Sequence, residues 1–286
     1  MSTAGKPGAS WVKSGKQVER ERLKRQRGMR SASTATVSTI IFLVLVVWGV
    51  TNSPGWPRVE ETFFNVDKFV AALPDVLDGF LLNIKIFLIA EPLILIVGLL
   101  VALARGLKAP VFFPLRCLAI AYTDIFRGIP TILLIYLVGF GLPALRLQGI
   151  PTDEATLGII ALTLSYGAYV AEVFRSGIDS IHPSQVNAAR SLGLSYGKTM
   201  RFVVLPQAVR RVVPPLLNDF VSLQKDTALV ATIGAIEALR QAQIHTAKSF
   251  NYTPYLVAAL LFVLLTIPMA RFTDYLAARS QRRRGA

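Results

Sequence analysis

The chain has 286 residues, 53% hydrophobic and only 17% charged, with a formal charge of +14. A soluble domain carries roughly 25% charged residues, so an ordinary soluble domain is excluded. The lysines and arginines fall in clusters between apolar runs rather than on one basic face, which argues against nucleic-acid binding. The single cysteine, Cys117, excludes an intramolecular disulfide and a cysteine-based metal cluster. His182 and His245 lack ligand spacing and read as ordinary loop residues, so no metal site is expected.

In chain order, residues 1–31 are polar and strongly basic, with Glu19 and Glu21 as the only acids. They read as a flexible cytoplasmic arm near anionic lipid. The apolar run Val37 to Val50 places a first span at about 32–51. The long polar lead and the lack of a small-x-small site favour a signal anchor over a cleavable signal. Residues 52–79 hold Pro54, Gly55, Pro57 and mixed charges, and read as an outer loop with a short amphipathic helix from Val66 to Leu77. Further spans are expected at about 80–104, 116–141 and 155–174. A polar loop, 175–211, separates these from a fifth span at about 212–236 and a sixth at about 254–271, before a basic tail at 276–286. The expected fold is all-α, a polytopic membrane protein of six helices with both termini on one side. Charge supports this: 23 of the 31 lysines and arginines lie in the two ends and in the loops 105–116 and 175–211. By the positive-inside rule that side is cytoplasmic.

Polar groups inside spans are costly and each needs a reason. Lys85 lies near the outer end of its span and can snorkel. Glu91 precedes Pro92 mid-span and faces protein or water; helix packing and path lining are equally open. Asp124 and Arg127 share a helix face and can pair, and Gly128-Ile129-Pro130 then breaks the helix, as a hinge or beside a pathway. Glu172 and Arg175 have the same spacing and read as a structural ion pair. In the fifth span, Asn218, Asp219, Ser222, Lys225 and Asp226 form a polar stripe, extended by Thr227 and opposed by Phe220, Val221 and Leu223. Interhelical hydrogen bonding and the lining of a solute path both fit, and five polar residues exceed what one helix contact needs.

The loop 175–211 holds a short Ala188-Ala189 helix, Gly193, and a Leu205-Pro206 stop, which together read as a docking surface. Gly193-Leu-Ser-Tyr-Gly197-Lys198-Thr199 fails as a phosphate loop, because three residues rather than four separate its glycines. No GxSxG or HExxH occurs. The chain is therefore not expected to be an enzyme or to bind a cofactor itself. Any energy source must be bound elsewhere.

The spacing of Asn187-Ala188-Ala189, Gly193, Val203 and Leu205-Pro206 resembles the cytoplasmic signature of permease subunits of bacterial ABC importers. That pattern is Glu-Ala-Ala, three residues, Gly, nine residues, Ile, one residue, Leu-Pro. Every interval matches, with Asn187 in place of the Glu and Val203 in place of the Ile. Phe126-Arg127-Gly128-Ile129-Pro130-Thr131, the segment Tyr169 to Ile178, and the segment Leu217 to Thr227 are similar to motifs of the polar amino acid uptake group. Together the likeness covers about 80–275. It implies a dimer of permeases and a coupling helix at roughly 185–197 that docks on an ABC ATPase, where ATP binds. It also implies an extracytoplasmic amino-acid-binding protein that delivers the solute. By this reading Gln185, Asn187, Ala188, Ala189, Gly193, Leu205 and Pro206 couple to the ATPase. Asn218, Ser222, Lys225, Asp226, Thr227, Arg127 and Glu91 line the path. A passive channel is the rival reading, but it gives no reason to keep the 185–206 spacing. The absence of Glu at 187 puts an ionic contact with the ATPase in doubt and favours a sister permease with the complete signature.

Overall fold

The computed structural model describes residues 15–107 and 109–282, and these contain helices and no strand. The chain divides into two compact units, 1–60 and 61–286. In the first unit, α1 (Gly15–Thr51) is one helix, with the apolar stretch Ser33–Thr51 at its C-terminal end. Residues 15–31, expected as flexible, are helical instead. Between Gly15 and Gly28 they hold Gln, Glu, Arg, Leu and Lys and no proline, a composition of good helix formers. The expected arm at 1–14 lies outside the described residues.

The outer loop expected at 52–79 contains the helix expected from Val66, but more of it is helical than expected. It holds α2 (Trp56–Phe63) and the first turns of α3 (Val66–Arg105), which runs through Pro74 and Pro92. Asn65 starts α3 by accepting the Lys68 N–H at 3.0 Å, which satisfies a donor the helix cannot. The early turns persist because Ala72, Val76 and Phe80 are buried against Ala238, Ala242 and Val257. That cluster also includes a residue pair no local pattern signals, the edge-to-face rings of Phe80 and Phe262 at 5.1 Å.

After a turn at Pro110–Phe112 come α4 (Phe113–Gly128) and α5 (Thr131–Tyr136), the latter continued by a wide turn, Leu137–Gly141, and α6 (Leu142–Ala144). The two halves, 110–128 and 131–144, meet at 106°. The expected break at Gly128–Pro130 is therefore a sharp corner. α7 (Glu154–Asp179) is capped by Asp153, which accepts the Thr156 N–H at 2.9 Å. That bond, with a smaller contribution from the charge of Lys85, holds the Asp153 carboxyl below its ordinary pKa. Lys85 thus lies level with the start of α7, consistent with a site near a span's end.

The connecting loop contains α8 (Pro183–Ser191) and α9 (Tyr196–Thr199), and a wide turn, Met200–Val204, leads into α10 (Leu205–Asp226). Leu205-Pro206 was expected as a stop, and here it begins α10. Proline is at ease in a helix's first turn, where its missing N–H has no intrahelical partner to lose. A tight helical turn, Thr227–Ile233, follows α10. Residues 238–249, read from sequence as outer loop with His245 in it, form α11 (Ala238–Ser249). Glu237 caps α11 by accepting the N–H groups of Leu239 and Arg240, and His245 lies 2.8 Å from Asp75 of α3. The chain ends in α12 (Thr253–Arg282).

Among the described residues four stretches are long and apolar enough to cross a membrane: 33–51, 56–105, 154–179 and 253–278; the bent pair 110–144 makes a fifth if it is one span. Six were expected. The missing one is α10, whose Arg210, Arg211, Asn218, Asp219, Lys225 and Asp226 make it too polar to qualify by composition.

The largest helix contact joins α3 and α7. Its core includes Ile86, Ile94, Leu157, Leu162 and Val170, joined by Leu223 of α10 and by Val230. The approach is close enough that a Cβ on Gly98 would lie 2.5 Å from Val170 Cγ1. Gly98→Val is therefore expected to destabilise the bundle by roughly 1–3 kcal/mol, the usual cost of overpacking. A lower melting temperature in detergent, with unchanged expression, checks this.

Candidate functional site

Two regions outside the packed core carry the predicted site residues. The first is the loop around α8. His182 caps that helix, its Nδ1 accepting the Ser184 N–H at 3.2 Å, and Pro183 opens its first turn. The other end closes with two bonds, Leu194 N–H to Ala189 O at 3.2 Å and Gly193 N–H to Arg190 O at 3.0 Å. This pair of bonds defines a helix stop in which the residue after the cap is left-handed, and Gly193 has φ +82°. The helix is thus shorter than the expected 185–197.

Gln185, Asn187 and Ala188 are exposed on α8, whereas Ala189 is buried and anchors the helix. Leu205 and Pro206 are exposed at the start of α10. Sequence reasoning missed Leu192, which is 84% exposed, and Tyr196 and Phe202, also exposed. The available signal was large apolar side chains inside an otherwise polar loop.

The second region lies between α7 and α10. A cleft of about 670 Å³ is lined by Arg127, Tyr169, Glu172, Ser176, Arg211 and Asp219, among others. Arg127 sits at the end of α4, its Cζ 5.7 Å from the Tyr169 ring centroid. Its ionic partner is Glu172, at 3.6 Å, and no ion pair joins it to Asp124 among the described residues. The expected Asp124–Arg127 pair is therefore replaced by one between helices, since the neighbouring α7 offers a better-sheltered carboxylate. Glu172 and Arg175 do pair as expected. The same carboxylate also receives Arg105 Nη1 at 2.9 Å, so three arginines from three helices surround it. Arg211 donates to the Ser180 carbonyl, which ties the end of α7, where the α8 loop begins, to α10.

The polar stripe of α10 is divided. Asn218 and Lys225 are exposed and Ser222 is half-buried. Asp219 lines the cleft, and its Oδ2 is buried with no hydrogen-bond partner among the described residues. Asp226 accepts the Tyr166 hydroxyl of α7 at 2.7 Å. Neighbours such as 218 and 219 are about 100° apart around a helix, so one sequence stripe serves two faces. Thr227 corrects the reading further. It is fully buried, receives Asn83 Nδ2 at 3.2 Å and donates to the Gln224 carbonyl, which makes it a tether and not an exposed lining group. Glu91 is not among the residues lining the cleft between α7 and α10. It lies with Leu95, Leu216, Leu217 and Phe220 against a separate apolar cleft of about 260 Å³ beside α12.

Comparison with known proteins adds the following. A family model described as binding-protein-dependent transport system inner membrane component matches residues 69–282, leaving α1 outside. The chain is 35% identical over 199 residues to the arginine transport system permease protein ArtQ of Bacillus subtilis (strain 168), covering 69% of this chain and 89% of that one. It is 37% identical over 189 residues to the "Probable glutamine ABC transporter permease protein GlnP" of the same organism, covering 65% and 84%. Among solved structures, an amino acid ABC transporter crystallised with histidines superposes with a TM-score of 0.69 at 30% identity, covering 75% of this chain and 98% of its own. The MetNI methionine ABC transporter, inward facing, shares the fold with a TM-score of 0.58 at 19% identity.

Proposed function

The chain belongs to the amino acid ABC transporter permeases, a group of binding-protein-dependent transport system inner membrane components, and from that premise we propose that it is the membrane path of an ATP-driven importer. The solute is a polar amino acid, either glutamate or aspartate, glutamine, or a basic amino acid, carried inward across the cytoplasmic membrane with both chain termini cytoplasmic. ATP is hydrolysed on separate ATPase subunits. A second permease completes the path, and an extracytoplasmic binding protein delivers the solute.

The observation that carries this reading is the exposed, sharply capped α8 with Leu192 beside it. A passive channel has no use for such an unpartnered surface, whereas an ATPase groove would bury it. Arg211 and the Ser180 carbonyl connect this loop to α10. Motion of α8 therefore reaches the helix that bears Asn218, Ser222 and Asp226, as a rocking of packed helices.

An amino acid brings one ammonium and one carboxylate out of bulk water. Asp226 and Asp219 suit the cation, and Lys225 suits the anion, by charge-assisted hydrogen bonds. Asn218→Leu, Ser222→Leu and Asp226→Asn are each expected to lower uptake, Asp226→Asn by about tenfold or more, as loss of a charged hydrogen bond implies. The assay is labelled amino acid uptake into vesicles holding the permease, its ATPase and the binding protein. Unchanged uptake in all three variants at normal membrane levels would falsify the path. Uptake that proceeds without ATP would instead assign a passive facilitator. Competition among the common amino acids in the same vesicles identifies the side chain carried.

A further inference from the structure

A second, smaller cleft of about 350 Å³ lies where α3 and α7 end and α4 begins, apart from the cleft between α7 and α10. Its lining carries three guanidinium groups, Arg105, Arg116 and Arg175, one carboxylate, Asp179, and an apolar wall that includes Ile120 and Ile178. Arg105 and Glu172 pair at 2.9 Å, Arg175 also pairs with Glu172, and Arg175 pairs with Asp179 at 2.6 Å. Those two arginines share two carboxylates, and Glu172 is shared with Arg127 as well, so the carboxylates are fully used. Arg116 has no ion pair among the described residues and packs its Cζ 5.4 Å from the Phe113 ring centroid. The cleft therefore keeps one uncompensated cation. Among the described residues, moreover, Arg105 uses only Nη1, for Thr123 and Glu172, which leaves the other edge of its guanidinium for a ligand.

The depth of the cleft indicates which anion it takes. The apolar stretches 56–105 and 154–179 end at Arg105 and Asp179, so it lies where hydrocarbon gives way to headgroups. The cleft's own wall is partly apolar and open, with Ala102, Leu107 and Ile178 in the lining and Ile120 37% exposed. An anion held here meets a guanidinium pair on one side and acyl chains on the other. Arginine suits a phosphate group in particular, because its planar fork binds two oxygens at once, and basic pockets between membrane helices are suited to lipid headgroups.

We propose that Arg116 and Arg105 form a binding site for the phosphate of an anionic phospholipid, at the end of the bundle from which the α8 loop leaves. The site rests on the membrane spans, and the melting readout below tests it whether or not the transport reading holds; only the uptake control draws on that reading.

The test uses the full chain co-expressed with its ATPase and purified in neutral detergent. Thermal unfolding is followed against dihexanoyl phosphatidylglycerol, dihexanoyl phosphatidylcholine and inorganic phosphate, for the wild type, Arg116→Gln and Arg116→Lys. A ligand that binds only the folded state raises the melting temperature as its concentration rises. The expected result is a rise of several degrees with phosphatidylglycerol alone, lost in Arg116→Gln and partly kept in Arg116→Lys, with ATP-driven uptake retained in both variants. No rise with phosphatidylglycerol, an equal rise with phosphatidylcholine, or a rise that survives in Arg116→Gln overturns the proposal. A rise with inorganic phosphate alone assigns the site to free phosphate and overturns the lipid.

Discussion

Replacing Gly193 with valine is expected to abolish uptake while the permease still inserts and melts near its wild-type temperature. Gly193 has φ +82°, a conformation that costs a non-glycine residue about 1–3 kcal/mol and a β-branched one the most. The strain is relieved where it arises. Nothing lies within 4 Å of a Cβ at this position, so the core is untouched. What gives way is the pair of bonds from Leu194 and Gly193 to Ala189 and Arg190 that ends α8. The helix then frays, and Leu192 no longer leaves it at a fixed angle. Gly193→Asn is the control, since asparagine tolerates the left-handed region, and it should keep most of the uptake. Membrane levels, vesicle uptake and the ATPase rate are measured together. Normal uptake by Gly193→Val at normal levels would show that the geometry of α8 is not needed for coupling.

The second large effect is expected at Glu172. Its side chain is 22% exposed and that of Arg105 is 15% exposed, so both are sheltered from water. Glu172→Gln leaves Arg105, Arg127 and Arg175 around a neutral amide. Removing one partner of a fully buried pair costs roughly 3–5 kcal/mol. Arg127 and Arg175 are each about two-fifths exposed and Asp179 still serves Arg175, so about 2 kcal/mol is the reasonable expectation after screening. That corresponds to a melting temperature lower by roughly 4–8 °C. Uptake should fall as well, because Arg127 stands between Glu172 and the 106° corner at Gly128–Pro130. Pairing Glu172→Gln with Arg105→Gln should recover part of the lost stability, because Arg105 is then no longer a sheltered charge without its carboxylate. An unchanged melting temperature in Glu172→Gln would show that the arginines are fully solvated and the cluster is incidental.

Both residues were visible in the sequence, with different completeness. Gly193 was legible by its spacing from Ala188-Ala189, but the helix expected at 185–197 ran through it, and the left-handed stop that ends α8 is seen only in the structure. Glu172 was half legible. Its partner three residues on was readable from helix geometry, whereas Arg105 and Arg127 lie 67 and 45 residues away and reach it only through the packing of α3 and α4 on α7. Asp226 was singled out, but its partner Tyr166 looked like one more aromatic in an apolar span. The Leu205-Pro206 pair was misread for a related reason. A proline marks a helix boundary, and nothing local says whether a helix ends before it or begins with it.

The sequence by itself determined that the chain is a helical membrane protein with a polar loop of fixed spacing at 187–206. Those properties follow from short-range physics: the cost of polar groups in hydrocarbon, the 3.6-residue repeat, and the few residues able to end a helix. Only the tertiary structure decided that the helix expected at Val66 to Leu77 runs on into the span as α3, that residues 238–249 are helical, and that Glu91 lies with Leu216, Leu217 and Phe220 at a cleft of its own. It also decided that the polar stripe of α10 divides between an exposed face, a cleft and a buried tether at Thr227. The reason is the same in each case. A helix presents every side of itself, and which side is buried depends on neighbours contributed by distant parts of the chain.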